Sequence, residues 1–203
     1  MVAALLAASF GLSATTSASA ACVPDGALFD DDFAYMDGSW GNPDDQFFVK
    51  DGALVIKGSR GQVNFSTRNE GANVCVDVTV TDAPDPLNSP AGVVFWWKDW
   101  DNYYYVLSWT DGGVEARRVL KGADSVIFTT GVEAVKLGLG QTNQIELRLK
   151  PKDATLFING AEVKRFKGVQ PKDGGAIGVI ATSPKNKPAT FVFDNLVVSA
   201  PAQ

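Results

Sequence analysis

The densest concentration of functional chemistry lies between residues 96 and 109. Trp96, Trp97, Trp100, Tyr103, Tyr104, Tyr105 and Trp109 fall within fourteen residues and include four of the five tryptophans. Flat rings with a polar edge suit stacking on the C–H faces of a sugar while donating hydrogen bonds. The same rings can instead serve as core and cross-strand packing pairs. Strands over Gly92–Trp97 and Tyr103–Trp109 would sort them by period-two alternation. Phe95 and Trp97 then share one face, and Trp96 shares the other with Val94 and Lys98. Tyr103, Tyr105, Leu107 and Trp109 share a face, while Tyr104, Val106 and Ser108 take the opposite one. A sandwich sheet turns only one face to the core, so some rings should meet solvent or a ligand. The candidate binding residues are therefore Trp97, Tyr103, Tyr105 and Trp109, with Trp100 reaching in from the connecting loop. Arg117 and Arg118 follow on the next strand and alternate between faces. Arg117 joins the candidate set because a guanidinium can hydrogen-bond a sugar or a uronate bidentately. A stacked surface arginine is the plainer alternative.

Carboxylates offer two further chemistries. The run Asp30-Asp31-Asp32 and the later Asp194 could supply oxygen ligands to a hard Ca²⁺ ion, with Asp32 and Asp194 as the candidate ligands. The same residues could simply be a solvated run and a turn cap, and the spacing of a dedicated calcium loop is absent. No other cofactor is required. Glycoside hydrolysis would need two carboxyl groups flanking the scissile bond. The five glutamates, Glu70, Glu115, Glu133, Glu146 and Glu162, are scattered. A pair distant in sequence, such as Glu115 with Asp99 or Asp101, is the remaining route. There is no histidine, so a Ser-His-Asp triad is excluded, as are metal sites built on imidazole. The net charge is −5, which argues against nucleic acid or an anionic membrane surface as partner.

The elements that must position these residues are strands. No segment keeps a helical apolar period. Short β-rich runs recur instead: 47–50, 53–56, 63–66, 74–81, 92–97, 103–109, 114–120, 126–129, 144–149, 155–158, 162–166, 176–181 and 190–198. Asn159-Gly160 and Asp51-Gly52 are type I′ hairpin pairs, Asp111-Gly112-Gly113 is a similar signal, and the proline-rich stretch 82–90 reads as a loop. This pattern specifies an all-β, two-sheet antiparallel sandwich of jelly-roll type. Residues 1–20 are uncharged, apolar and end in Ala18-Ser19-Ala20, the pattern of a signal peptide. Residues 21–203 then form one domain, with no further membrane span and a periplasmic or secreted location. The two cysteines, Cys22 and Cys75, are expected to pair as a disulfide. Two free thiols, or lipidation of Cys22, are the alternatives.

Several motifs resemble the concanavalin A-like lectin/glucanase superfamily, nearest its laminin G-like and 3-keto-disaccharide hydrolase-type domains. They are Asp31-Asp32-Phe33 with Trp40, Asp51-Gly52-Ala53-Leu54-Val55-Ile56, and Ala91-Gly92-Val93-Val94-Phe95 with Asp101-Asn102-Tyr103-Tyr104. Phe157-Ile158-Asn159-Gly160, Gly175-Ala176-Ile177-Gly178 and Phe193-Asp194-Asn195-Leu196 complete the set. The resemblance implies that the first and last strands pair. It hosts lectins, hydrolases and adhesion modules alike. The sandwich glucanases of this superfamily carry Glu-x-Asp-x-Glu on one strand, and no such string occurs here. The expectation is an exported carbohydrate-binding domain without chemistry of its own, its partner an oligo- or polysaccharide. A glycoside or 3-keto-glycoside hydrolase and a protein-binding adhesion module are the alternatives.

Overall fold

The computed structural model describes residues 22–23, 26–69, 71–172 and 174–201. The expected leader lies outside them. Three tight turns set local strand pairing. Asp51-Gly52, Lys121-Gly122 and Asn159-Gly160 each place two successive residues at positive φ, +53° and +74°, +52° and +75°, and +50° and +81°. That is the type I′ geometry, whose twist matches the flanking strands. They close β2 (Phe47–Lys50) on β3 (Ala53–Lys57), β8 (Gly113–Leu120) on β9 (Ala123–Gly131), and β11 (Asp153–Ile158) on β12 (Ala161–Lys167).

The remaining strands are β1 (Phe29–Asp31), β4 (Arg60–Asn69), β5 (Ala72–Asp82), β6 (Ala91–Asp99), β7 (Asn102–Ser108), β10 (Thr142–Lys150), β13 (Gly175–Ala181) and β14 (Thr190–Ser199). One sheet has eight strands in the order β12-β11-β10-β5-β14-β3-β2, with β1 pairing β14 beside the end of β3. The other has six, in the order β4-β13-β6-β7-β8-β9. All pairings are antiparallel. The all-β sandwich and the pairing of terminal strands agree with the sequence. Among the described residues no helix is long and apolar enough to cross a membrane.

The core fills the space between the sheets. Phe47, Leu54, Ile56, Ile145, Leu147, Leu156, Phe191 and Phe193 come from the larger sheet, and Val93, Phe95, Tyr104, Val106, Phe128, Ile177 and Val179 from the smaller. The Asp31…Trp40 motif ties down the start of the domain. The Asp31 carboxylate accepts from the Phe33 backbone N–H at 2.8 Å and from Trp40 Nε1 at 2.8 Å, and the Phe33 and Trp40 rings pack 5.7 Å apart beneath it.

The disulfide is formed. Cys22 and Cys75 are bonded with their Cα atoms 5.3 Å apart, across a sequence separation of 53 residues. Cys75 lies on the outer side of β5, where Val197, Ala27 and the Cys22 side chain gather around it. The residues after the expected cleavage point are thus stapled to the larger sheet. The Cys22 sulfur is engaged in that bond, so it is not available for a thioether-linked lipid.

Candidate functional site

The aromatic segment departs from strict alternation at one residue. The β6–β7 register runs from Ala91↔Ser108 to Phe95↔Tyr104 and is then broken before Asp99↔Asn102. Trp96 sits at φ +48°, a conformation that costs a bulky residue about 1–3 kcal/mol and marks a β-bulge. Phe95 and Trp96 therefore both reach the core, and Trp97 joins Val94 on the outer face. This corrects the expectation that Phe95 and Trp97 share a face. Two glycines accommodate the bulge. A Cβ on Gly175 would lie 2.4 Å from Trp96 Cα, and one on Gly168 would lie 2.1 Å from the Trp96 ring.

The outer face of the smaller sheet is apolar, and no other element among the described residues covers it. Trp97, Tyr105, Leu107 and Val119 pack there with Val63, Val94 and Ala176, and Tyr103, Trp109 and Ile180 lie against them. Rings form a continuous row across this face. Successive centroids are 5.8 Å apart from Phe65 to Trp97, 5.7 Å to Trp100, 5.4 Å to Tyr103 and 5.6 Å to Tyr105. Trp100 is 46% exposed and Phe65 is 58% exposed. The Trp100 ring lies against Gly61, where a Cβ would come within 2.9 Å of it. Trp97, Trp100, Tyr103 and Tyr105 are thus brought together. Trp109 is not part of the row. It stands at the far end of β7, against Gly113, whose carbonyl accepts its backbone N–H at 2.9 Å. Phe65 joins the row as a residue outside the sequence candidates, although alternation within 63–66 places it beside Val63.

The row continues as a polar network on β8 and β9. Tyr105 Oη donates to Asp124 Oδ2 at 2.9 Å. Arg117, the register partner of Tyr105, donates from Nε to both Asp124 oxygens at 3.2 and 3.1 Å. Its Nη2 is 3.0 Å from Asp124 Oδ2, and its Nη1 donates to Glu115 Oε1 at 2.5 Å. Thr129 Oγ1 donates to Glu115 Oε2 at 2.8 Å. Burial, and then the hydrogen bond to the Asp124 carboxylate, push the Tyr105 phenol well above the ordinary tyrosine range. Burial and the same carboxylate raise Tyr103. The bonds to Asp124 and Glu115 hold the Arg117 proton still more firmly than usual. Arg118 pairs in register with the core-facing Tyr104, as alternation requires.

The proposed distant carboxylate pair does not assemble. Asp99 accepts from Asp101 N at 3.0 Å and from Asn102 Nδ2 at 2.8 Å, holding the β6–β7 turn. Glu115 faces Leu107, five residues up β7 from Asn102, or about 17 Å along the strand. Glycosidase carboxyl groups stand roughly 5–10 Å apart.

The calcium candidates lie at the other side of the molecule. Asp32 Oδ1 accepts from Ala34 N at 3.0 Å, and Asp194 Oδ1 accepts from Asn195 N at 2.7 Å. Asp77, the register partner of Asp194, is a third carboxylate there and accepts from Asn195 Nδ2 at 3.0 Å. Burial raises the Asp194 carboxyl above its ordinary range, and the neighbouring Asp77 and Asp32 add to this. Asp32 and Asp77 line a cavity of about 200 Å³. These oxygens are of the kind a hard cation takes; Asp32 and Asp194 also hold local turns, and Asp77 bonds across strands to Gln144 and Asn195.

No family model matches the chain, and no curated protein matches it by sequence. Solved structures match its fold. The carbohydrate-binding module CBM66 from Bacillus subtilis superposes with a TM-score of 0.60 at 15% identity, over 72% of this chain and 86% of that one. The laminarinase catalytic domain from Thermotoga maritima gives 0.60 at 10% identity, over 87% and 98%. The GH43 protein BlXynB from Bacillus licheniformis gives 0.60 at 13% identity, over 84% of this chain but 39% of that one. The chain shares with these structures the two-sheet, jelly-roll type of β-sandwich. The neighbours do not single out a laminin G-like or 3-keto-disaccharide hydrolase-type domain.

Proposed function

We propose that this chain is an exported carbohydrate-binding domain that uses the outer face of its six-stranded sheet and performs no chemistry of its own. One observation carries the reading. Five rings form an unbroken row on a sheet face that no other element among the described residues covers, and Phe65 at one end and Trp100 in the middle are open to solvent. Successive rings meet mostly edge to face, at 72°, 70° and 82°, so the open Phe65 and Trp100 rings are the ones on which the C–H face of a sugar can stack. Fold neighbours that include a carbohydrate-binding module and a laminarinase support the same substrate class. The Cys22–Cys75 bond supports an oxidising, extracytoplasmic location. A hydrolase acting on this face would have to recruit Glu115 or Asp124, and both are bonded to Arg117.

A titration with neutral and acidic oligosaccharides, followed by tryptophan fluorescence, tests the reading. A saturable change is expected for at least one saccharide. Trp100→Ala should weaken that binding by about 1–3 kcal/mol and leave the melting temperature nearly unchanged. If no saccharide perturbs the emission, the protein-binding reading takes its place. Release of chromophore from nitrophenyl glycosides would show an enzyme instead.

A further inference from the structure

We propose that the glycan is neutral, and that Arg117 serves to hold two carboxylates toward its hydroxyl groups and not to bind an acidic sugar. The inference rests on the carbohydrate-binding reading and names the class of sugar for that same face.

A guanidinium beside a row of rings would ordinarily suggest a uronate or sulfate ligand. Here its bidentate edge is already taken. Nε and Nη2 face Asp124, and Nη1 faces Glu115. This end of the belt therefore carries one positive and two negative charges. Asp124 is the more open of the carboxylates, with its side chain 41% exposed against 13% for Glu115. An acidic sugar stacked on the open Trp100 and the half-buried Tyr103 would bring its carboxylate toward Asp124. A like-charge contact at about 4 Å in a half-wet site weakens binding by roughly tenfold or more. A neutral sugar in the same place presents hydroxyl donors to the spare lone pairs of Asp124 and Glu115, and such charge-assisted bonds are the stronger kind.

The other charges near the belt do not reverse this balance. At the opposite end Arg68 lies 5.9 Å over the Trp97 ring and donates to the Gly174 carbonyl at 3.1 Å. Its guanidinium is engaged there by that ring and by the Gly174 carbonyl. The hairpin rim adds Lys98 and Lys121 against Asp99 and Asp101, in equal number. A face that selected a polyanion would show an excess of cations.

The test compares neutral β-glucan or xylan oligosaccharides with oligogalacturonates of matched length, by calorimetry at low and high salt. The wild-type protein should bind a neutral series and hold the galacturonates at least about tenfold more weakly. Asp124→Asn with Glu115→Gln uncovers the Arg117 charge. Galacturonate binding should then rise by about tenfold and fall again at high salt, while the neutral series weakens. Asp124→Asn alone, at the more exposed position, should give a smaller shift in the same direction if the double variant folds poorly. Galacturonates that bind the wild type as tightly as neutral sugars, or a ratio unmoved by either variant, would overturn the inference and leave the carbohydrate reading intact. Failure of every saccharide to bind the wild type would overturn both.

Discussion

The two faces of the six-stranded sheet are built from the same residue types on the same strands, and they differ in what lies over them. Inside, Phe95, Trp96 and Tyr104 interlock with Phe166 and Phe128 of the core, with centroids 5.0–6.2 Å apart. Outside, Trp97, Trp100, Tyr103 and Tyr105 sit at similar spacings, and no sheet covers them. Ring spacing alone therefore does not distinguish a core from a binding surface. What distinguishes them is the partner layer. The inner rings satisfy their packing within the chain, whereas the outer ones leave Trp100 and Phe65 half in water.

The largest expected effect breaks the inner face. Phe95→Ala should cost about 3–5 kcal/mol of stability, read by urea denaturation, because Phe95 is fully buried among Trp96, Tyr104 and Phe166. An equal loss for Trp100→Ala would mean that the outer row is structural as well, and the contrast between faces would collapse.

The larger sheet offers a control, since its outer face is covered at one place by the stapled N-terminal segment. Cys75→Ser should cost about 2–4 kcal/mol, because the bond closes a long loop of the unfolded chain. Saccharide affinity should be unaffected, as Cys75 lies on the other sheet. Reduced affinity in the folded variant would show that the two outer faces communicate.

A pH titration sharpens the contrast further. The raised Tyr103 and Tyr105 phenols stay neutral in the fold at a pH where the unfolded chain, with tyrosine near 10, begins to ionise. Their contribution to stability is complete below about pH 10 and is lost as pH rises through the folded values. Tyr105→Phe should remove part of the late phenolate absorbance. A variant whose titration curve keeps all of its late component would show that Tyr105 is not held by Asp124.

The smallest effect is expected from chelation. The core between the sheets is filled by apolar side chains, and Asp32, Asp77 and Asp194 are not among them, so EDTA should leave the near-UV dichroism unchanged. Its loss would make an ion structural.

Strands and turns were readable because their signals are local. Asn159-Gly160 and Asp51-Gly52 need only two residues to adopt the left-handed geometry. Strand ends were less so: β4 begins at Arg60 and runs to Asn69, and β9 spans Ala123–Gly131, because edge pairing and not composition sets their length. Lys121-Gly122 turns the chain like the other two pairs, although lysine gives little hint of it. The site was half legible. Its rings announced themselves by density. The Asp124–Arg117–Glu115 network did not, because it forms across a hairpin whose register shifts between Ala116 and Arg117.

That Trp96 bulge also makes the outer face a matter of parity. One extra residue between Phe95 and Asp99 decides which side of the sheet each following ring is addressed to. Flattening the bulge with every residue kept would turn Trp96 outward and Trp97 toward a core already filled by Phe95 and Tyr104, whereas deleting Trp96 would cost one core indole and leave Trp97 outside beside Val94. A residue gained at this position would thus readdress the outer face, whereas the same change in the 132–140 loop would leave every ring where it is.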